Sequence, residues 1–296
     1  MVPEPGTETA LPTRGEPPEP TRAPASPSRQ VQPQPLIRTV PGSDLRISTS
    51  VPDYDQAELF GLKLSNCTIE QLVGTVEAWV DQGVSRTAAG VNANVVNLSA
   101  RRPETRELFR ANDVNYLDGQ SLVWASRLLG LSAEERVATT DVALPLAQMC
   151  KRRDFGLFLL GGQPEVAQKA AARLEAQVPG LKTYTHDGFF TPDQDEQVVQ
   201  AIVASGAKVV LVGLGDPRQQ QWVQQHRYQV NGVMLTCGGL FDWISGNNRR
   251  PPQWMVGWGL EWLWRMWLEP RRLARRYLVG NPEFLLRLAG AWFFRR

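Results

Sequence analysis

Asp118 and Gly119 follow the apolar run VNYL. A carboxylate at the end of a buried strand, beside a glycine that leaves room for a ligand, is well placed to take a proton from a bound hydroxyl. The same pair also suits an ordinary Asp-Gly turn. Three pairs of glycines come later: Gly161 with Gly162, Gly213 with Gly215, and Gly238 with Gly239. Each pair ends an apolar run, where backbone amides can approach a nucleotide closely. Any one of them can be a plain strand-to-helix turn. Three at successive strand ends favour a nucleotide-sized ligand. None is a dinucleotide fingerprint, because Pro217-Arg218 stands near the place of the third glycine. That counts against a nicotinamide-dependent oxidoreductase.

Other polar residues have a bland reading beside the functional one. Thr140 or Asp141 can cap a helix, and Arg136 can be a surface charge. Gln219 falls in the first turn of a helix and can lie on its exposed face. Asp193-Gln194-Asp195 superficially matches an acidic metal-binding triplet, but its setting, TPDQDEQVV, reads as a capped helix start. Cys67, Cys150 and Cys237 match no disulfide or zinc spacing, and only His186 and His226 add imidazoles, so no metal centre is expected. The net charge of +2 gives no reason to expect nucleic acid as a partner.

The elements that must position these residues follow from the apolar pattern. Residues 1–55 hold 12 of the 22 prolines and few large apolar side chains, which predicts a disordered segment. Residues 56–248 alternate strand-like apolar runs with amphipathic stretches. Strands are expected at 88–91, 114–117, 155–160, 181–185, 208–214 and 233–237, with helices between them. The fold class is therefore α/β: a Rossmann-like parallel sheet with crossover helices, whose ligands bind beyond the carboxyl ends of the strands. Residues 249–296 change character. From residue 241 to the end there are ten Arg, four acids and seven of the ten Trp. Two or three short amphipathic helices suited to an anionic membrane surface are expected there, and no spanning helix.

Taken in order, these segments resemble the WecG/TagA/CpsF family of inverting glycosyltransferases. The resemblance covers about residues 61–288. It rests on Leu117-Asp118-Gly119, Arg136 with Asp141, Phe158 to Gly162, Asp187-Gly188-Phe189-Phe190 and Gly213 to Gln219. It continues through Gly238-Gly239-Leu240-Phe241-Asp242, Arg250 with Pro252, and the run from Gly259 to Arg272. Each motif is weak alone, and the ordered set is specific.

The resemblance implies metal-independent transfer of a sugar, such as an N-acetylhexosamine, from a UDP-sugar to a polyprenyl-diphosphate-linked acceptor, in the making of a surface polysaccharide or exopolysaccharide. It implies Asp118 as the base, with Asn92, Arg136, Asp141, Gln219 and the glycines around the substrates. Arg265, Arg271, Arg272, Arg275 and Arg276 become candidates for the diphosphate and the membrane. No cofactor is expected, and a homo-oligomer is left open. The expected location is cytoplasmic, on the inner face of the cell membrane. Four departures stand out: Gly90 replaces a Thr, Thr140 a Gly, Gln220 a Glu and Pro251 an Ala. The replaced positions Gly90, Gln220 and Thr140 motivate the alternative, a non-catalytic membrane-peripheral nucleotide-sugar-binding relative.

Overall fold

The computed structural model describes residues 54–248, 251–252, 254–255 and 258–294, apart from the side chain of Arg272. The disorder expected for residues 1–55 therefore falls outside the described residues except at Tyr54 and Asp55, and Asp55 already opens a strand. Arg250 also lies outside them.

Eight strands form one sheet: β1 (Asp55–Leu59), β2 (Leu62–Asn66), β3 (Arg86–Val91), β4 (Val114–Leu117), β5 (Gly156–Gly161), β6 (Lys182–His186), β7 (Val209–Gly213) and β8 (Val233–Thr236). Their order is β1-β2-β4-β3-β8-β7-β5-β6. Every neighbouring pair is parallel except β1 with β2. The expectation of a wholly parallel sheet is thus corrected at one edge. There Phe60 and Gly61, both at positive φ, turn the chain back through a tight hairpin.

The apolar runs are nearly continuous because both faces of the sheet are covered. Side chains alternate along each strand. On one face Leu157, Leu159, Val209 and Leu211 meet α1 (Ile69–Asp81), α5 (Thr139–Arg152) and α6 (Val166–Gln177). On the other, Phe158, Leu160, Val210 and Val212 meet α7 (Asp195–Ser205) and α8 (Arg218–His226). That second face continues over β3 and β4, where Ala89, Val91 and Leu117 pack under α2 (Ala93–Arg101), the neighbour of α3 (Pro103–Arg110), and α4 (Gln120–Leu128). A short α9 (Leu240–Ile244) follows β8.

Three more helices complete the chain: α10 (Glu261–Leu268), α11 (Pro270–Leu278) and α12 (Gly280–Phe294). Pro270 sits at the start of α11, where its missing N–H costs nothing. The last helix belongs to the core. Phe284 is 3% exposed and its ring lies 5.6 Å from that of Phe60. Asn97 on α2 donates to the Gly280 carbonyl at 2.7 Å, and Arg101 pairs with Glu283. Around this attachment Trp254, Trp258, Trp267, Leu278, Leu286 and Phe293 stay exposed. No helix among the described residues is long and apolar enough to cross a membrane.

Candidate active site

The chain leaves β3 for β4 on one side and reaches β8 from β7 on the other. The carboxyl ends of β3 and β8 therefore flank a crevice, where an open α/β sheet takes its ligands. Asn92 follows β3, Asp118 follows β4, Asp216 follows β7 and Gly238 follows β8.

Asp118 is held from two directions. Its Oδ1 accepts the Thr139 amide at 2.8 Å and the Thr139 hydroxyl at 3.2 Å. Among the described residues its Oδ2 accepts only the Asn92 Nδ2 amide, at 3.3 Å. The first helical residue of α5 is Thr139, and the residue before it, Ala138, has no side chain to cap the helix. Asp118 fills that role from the neighbouring strand, so the carboxylate lies at the positive end of a helix. Asn92 caps α2 with its Oδ1, which accepts from Asn94 and Val95, and this leaves its Nδ2 for Asp118.

Gly119 does not act as read from the sequence. Its φ of −97° is no left-handed turn, and a Cβ there would stand 3.0 Å from the Asn92 Cβ. The space that this glycine leaves is taken by Asn92, so that the cap and the carboxylate can meet. Gly90 shows the same economy of space. A Cβ on it would lie 2.9 Å from the Asp118 Cβ and 3.0 Å from both Thr139 Oγ1 and Tyr116 Cε2. The departure at Gly90 thus coincides with a hydroxyl delivered from Thr139, a residue that no motif singles out.

Across the crevice, Gln219 is buried and fully engaged. Its Oε1 accepts the amides of Gly215 at 3.2 Å and Gly238 at 3.1 Å, and its Nε2 donates to Asp216 at 2.9 Å. It ties the loops after β7 and β8 together, so the bland reading of an exposed helix face does not hold. Added Cβ atoms at Gly215 and Gly238 would meet open space, so these two glycines border the crevice. Asp216 feels both sides. Burial pushes its carboxyl up to about 6, against the pull of Gln219 and Arg276, with Asp118 adding to the rise.

The other glycine turns are closed. A Cβ on Gly161 would collide with the Gly213 carbonyl oxygen at 2.4 Å, and one on Gly213 would meet the Gly238 oxygen at 2.7 Å. Gly188 covers the first turn, donating to the Gly162 carbonyl at 2.9 Å. Arg218 clamps that cover through the carbonyls of Gly188 and Phe190. Gly161 and Gly213 thus let backbone pack on backbone, Gly162 at positive φ makes room for the Val166 side chain, and Gly239 stands clear of all but Asp242, 3.7 Å from where its Cβ would be.

Arg136 lies between Glu261 at 2.8 Å and Asp141 at 3.4 Å. Burial opposes its charge, but Glu261, Asp141 and Asp118 outweigh that, and the guanidinium is held above its ordinary range. Glu261 opens α10, so the C-terminal segment reaches the site directly. Arg276 on α11 also reaches it, through its influence on Asp216. Arg265 instead stacks over Trp243 at 5.0 Å, and Arg271 and Arg275 are exposed. Gln220 is buried between Thr236 and Asn112, donating to the first and accepting from the second. Asp195 of the acidic triplet accepts from Trp222 at 3.2 Å and faces His226, the structural role that its setting predicted.

A mostly parallel α/β sheet with a carboxylate, a half-buried arginine and two open glycines at its strand ends defines a protein suited to binding a polar ligand there. The model of the glycosyl transferase WecG/TagA/CpsF family matches residues 57–296, and the chain belongs to that family. A sugar donor and an acceptor are therefore its substrates.

Proposed function

We propose that the protein transfers a sugar from a UDP-sugar to a polyprenyl-diphosphate-linked acceptor, with inversion and without a metal ion. The observation that carries this reading is the hydrogen bonding of Asp118: Oδ1 accepts both the amide and the hydroxyl of Thr139, whereas among the described residues Oδ2 accepts one long hydrogen bond, from Asn92. In the proposed step, Asp118 takes the proton of the acceptor hydroxyl while that oxygen bonds to the anomeric carbon. The bond from that carbon to the diphosphate breaks on the opposite face, which inverts the centre and releases UDP. Stabilising the negative charge on the departing group is then the main electrostatic task. Arg136 and Arg276 are suited to it because a guanidinium matches phosphate geometry.

The C-terminal face supports a peripheral membrane location, with Trp254, Trp258 and Trp267 exposed beside Arg271 and Arg275. Aromatic rings and arginines on one surface favour an anionic interface. A lipid-linked acceptor would then reach the crevice from the side where α10 and α11 sit.

The test is UDP release from a panel of UDP-sugars in EDTA, with and without a lipid-diphosphate-linked N-acetylglucosamine acceptor. Release that needs the acceptor and falls by at least about 100-fold in Asp118→Asn, with donor binding intact, supports the reading. Asp118→Asn turning over at the wild-type rate would reject Asp118 as the base, and release that stops in EDTA would reject metal independence.

A further inference from the structure

We propose that Thr139 is the positioning residue of this site: backed by Tyr116, it holds Oδ1 of Asp118 so that Oδ2 is the oxygen presented to the acceptor hydroxyl. The inference rests on the reading of Asp118 as the base and specifies which of its atoms acts.

The hydrogen-bond directions leave one arrangement. An ionised carboxylate only accepts, so the single proton of the Thr139 hydroxyl goes to Oδ1. The Tyr116 hydroxyl, 2.9 Å from Thr139 Oγ1, must then donate to that oxygen. Tyr116 is fully buried, and burial, with the charge of Asp118, pushes its phenol far above the ordinary range, so that it keeps the proton it donates. The chain therefore runs from Tyr116 to Thr139 to Asp118. Together with the Thr139 amide it gives Oδ1 two donors, which match its two lone pairs. Oδ2, with only Asn92 at 3.3 Å, keeps a lone pair for a ligand.

Backbone register sets this up. In the β3–β4 ladder Gly90 pairs with Tyr116, which puts the missing side chain of Gly90 beside the ring. Thr139 Oγ1 enters that gap, 3.0 Å from where a Cβ would be. Arg136 and Asp216 also face Asp118 electrostatically, from the loop before α5 and the loop after β7. Neither hydrogen-bonds to it among the described residues, so its orientation falls to Thr139 and Asn92.

Three variants of the full chain test the proposal: Thr139→Val, which keeps the amide and the branched shape but removes the hydroxyl, Thr139→Ser, and Tyr116→Phe. The first readout is infrared and needs no substrate. The carboxylate band absent from Asp118→Asn identifies Asp118. It should shift in Thr139→Val, shift less in Tyr116→Phe and keep its wild-type position in Thr139→Ser. The second readout is turnover with the UDP-sugar panel. Thr139→Val should lower kcat by about tenfold to a hundredfold, with KM for the donor within about twofold, and Thr139→Ser should restore it. An unmoved band in Thr139→Val, or a loss that Ser does not rescue, overturns the proposal even where Asp118→Asn is inactive. Wild-type turnover in Asp118→Asn removes the base reading and this proposal with it.

Discussion

Arg136 reaches across 125 residues of sequence to Glu261, with Nη1 2.8 Å from Oε1. One end of this contact lies just before α5, beside Asp118, and the other is the first residue of α10. The aromatic C-terminal segment is therefore fastened to the side of the sheet that carries Asp118 by an ion pair that is only partly open to water.

Breaking that fastening should loosen the segment. Glu261→Ala leaves Arg136 with Asp141 alone, and because both partners are partly solvated the cost should be about 1–2 kcal/mol. Urea unfolding should show the loss as a lower midpoint. Trypsin should also cut sooner near Arg265 and Arg271. Equal midpoints and equal cleavage rates would mean that the pair fastens nothing.

Gly90 should tolerate nothing larger. Gly90→Ala places a methyl within 3.0 Å of Tyr116, Thr139 and Asp118 at once, on a strand whose neighbours cannot retreat. Overpacking of this kind costs about 1–3 kcal/mol. Thermal unfolding measures that cost, and turnover should fall with it because the carboxylate is displaced. A variant with wild-type stability and turnover would contradict the packing described.

Gln219 should matter through the loops it joins. In Gln219→Ala the Gly215 and Gly238 amides lose their acceptor, but both glycines border open space and water can enter. The stability loss should therefore stay at about 1–2 kcal/mol, the low end for orphaned donors. Donor affinity should fall further, by about tenfold, because the two loops no longer hold one shape. Calorimetric titration with UDP reads the second effect, and unchanged affinity would limit Gln219 to a packing role.

Asp216 predicts a pH dependence. Its folded carboxyl titrates at about 6 and its ordinary value is 3.8, so the neutral form favours the folded state. Stability from this group is full below pH 3.8 and is lost as pH rises through about 6. The loss is at most about 3 kcal/mol. Asp216→Asn should remove this slope and leave the protein more stable than wild type at pH 8. Unfolding midpoints from pH 4 to 8 decide it, and parallel curves for the two proteins would sink the prediction.

The sheet was legible where strands are buried on both faces. The run at 114–117 matches β4 residue for residue, and those at 208–214 and 233–237 overrun β7 and β8 by one or two residues. The β1–β2 hairpin was not legible, because β1 is short and largely solvated and carries little apolar signal. At the site, Asp118 stood out as a carboxylate ending an apolar run, and Asn92 was marked only by the family resemblance. Thr139 did not: a threonine at a helix start has a dozen ordinary explanations, and its role exists only where α5 meets β4 beside the gap at Gly90. The cover over Gly161 and Gly162 was equally hidden. Two glycines read as an open cradle until the loop at Gly188, from a different strand end, is laid across them.

Helix α2 has one end on the Asp118 carboxylate, through Asn92, while its body is pinned to α12 through Asn97 and Arg101. Nine residues of α-helix span about 14 Å and bend little. It acts as a strut between the tail and Asp118. Removing the tail would take away one support of that strut, so under the proposed function a clipped chain should lose turnover as well as membrane binding. The two roles come apart only by exchanging single exposed tryptophans, such as Trp258 or Trp267, while Phe284 and Glu283 stay in place.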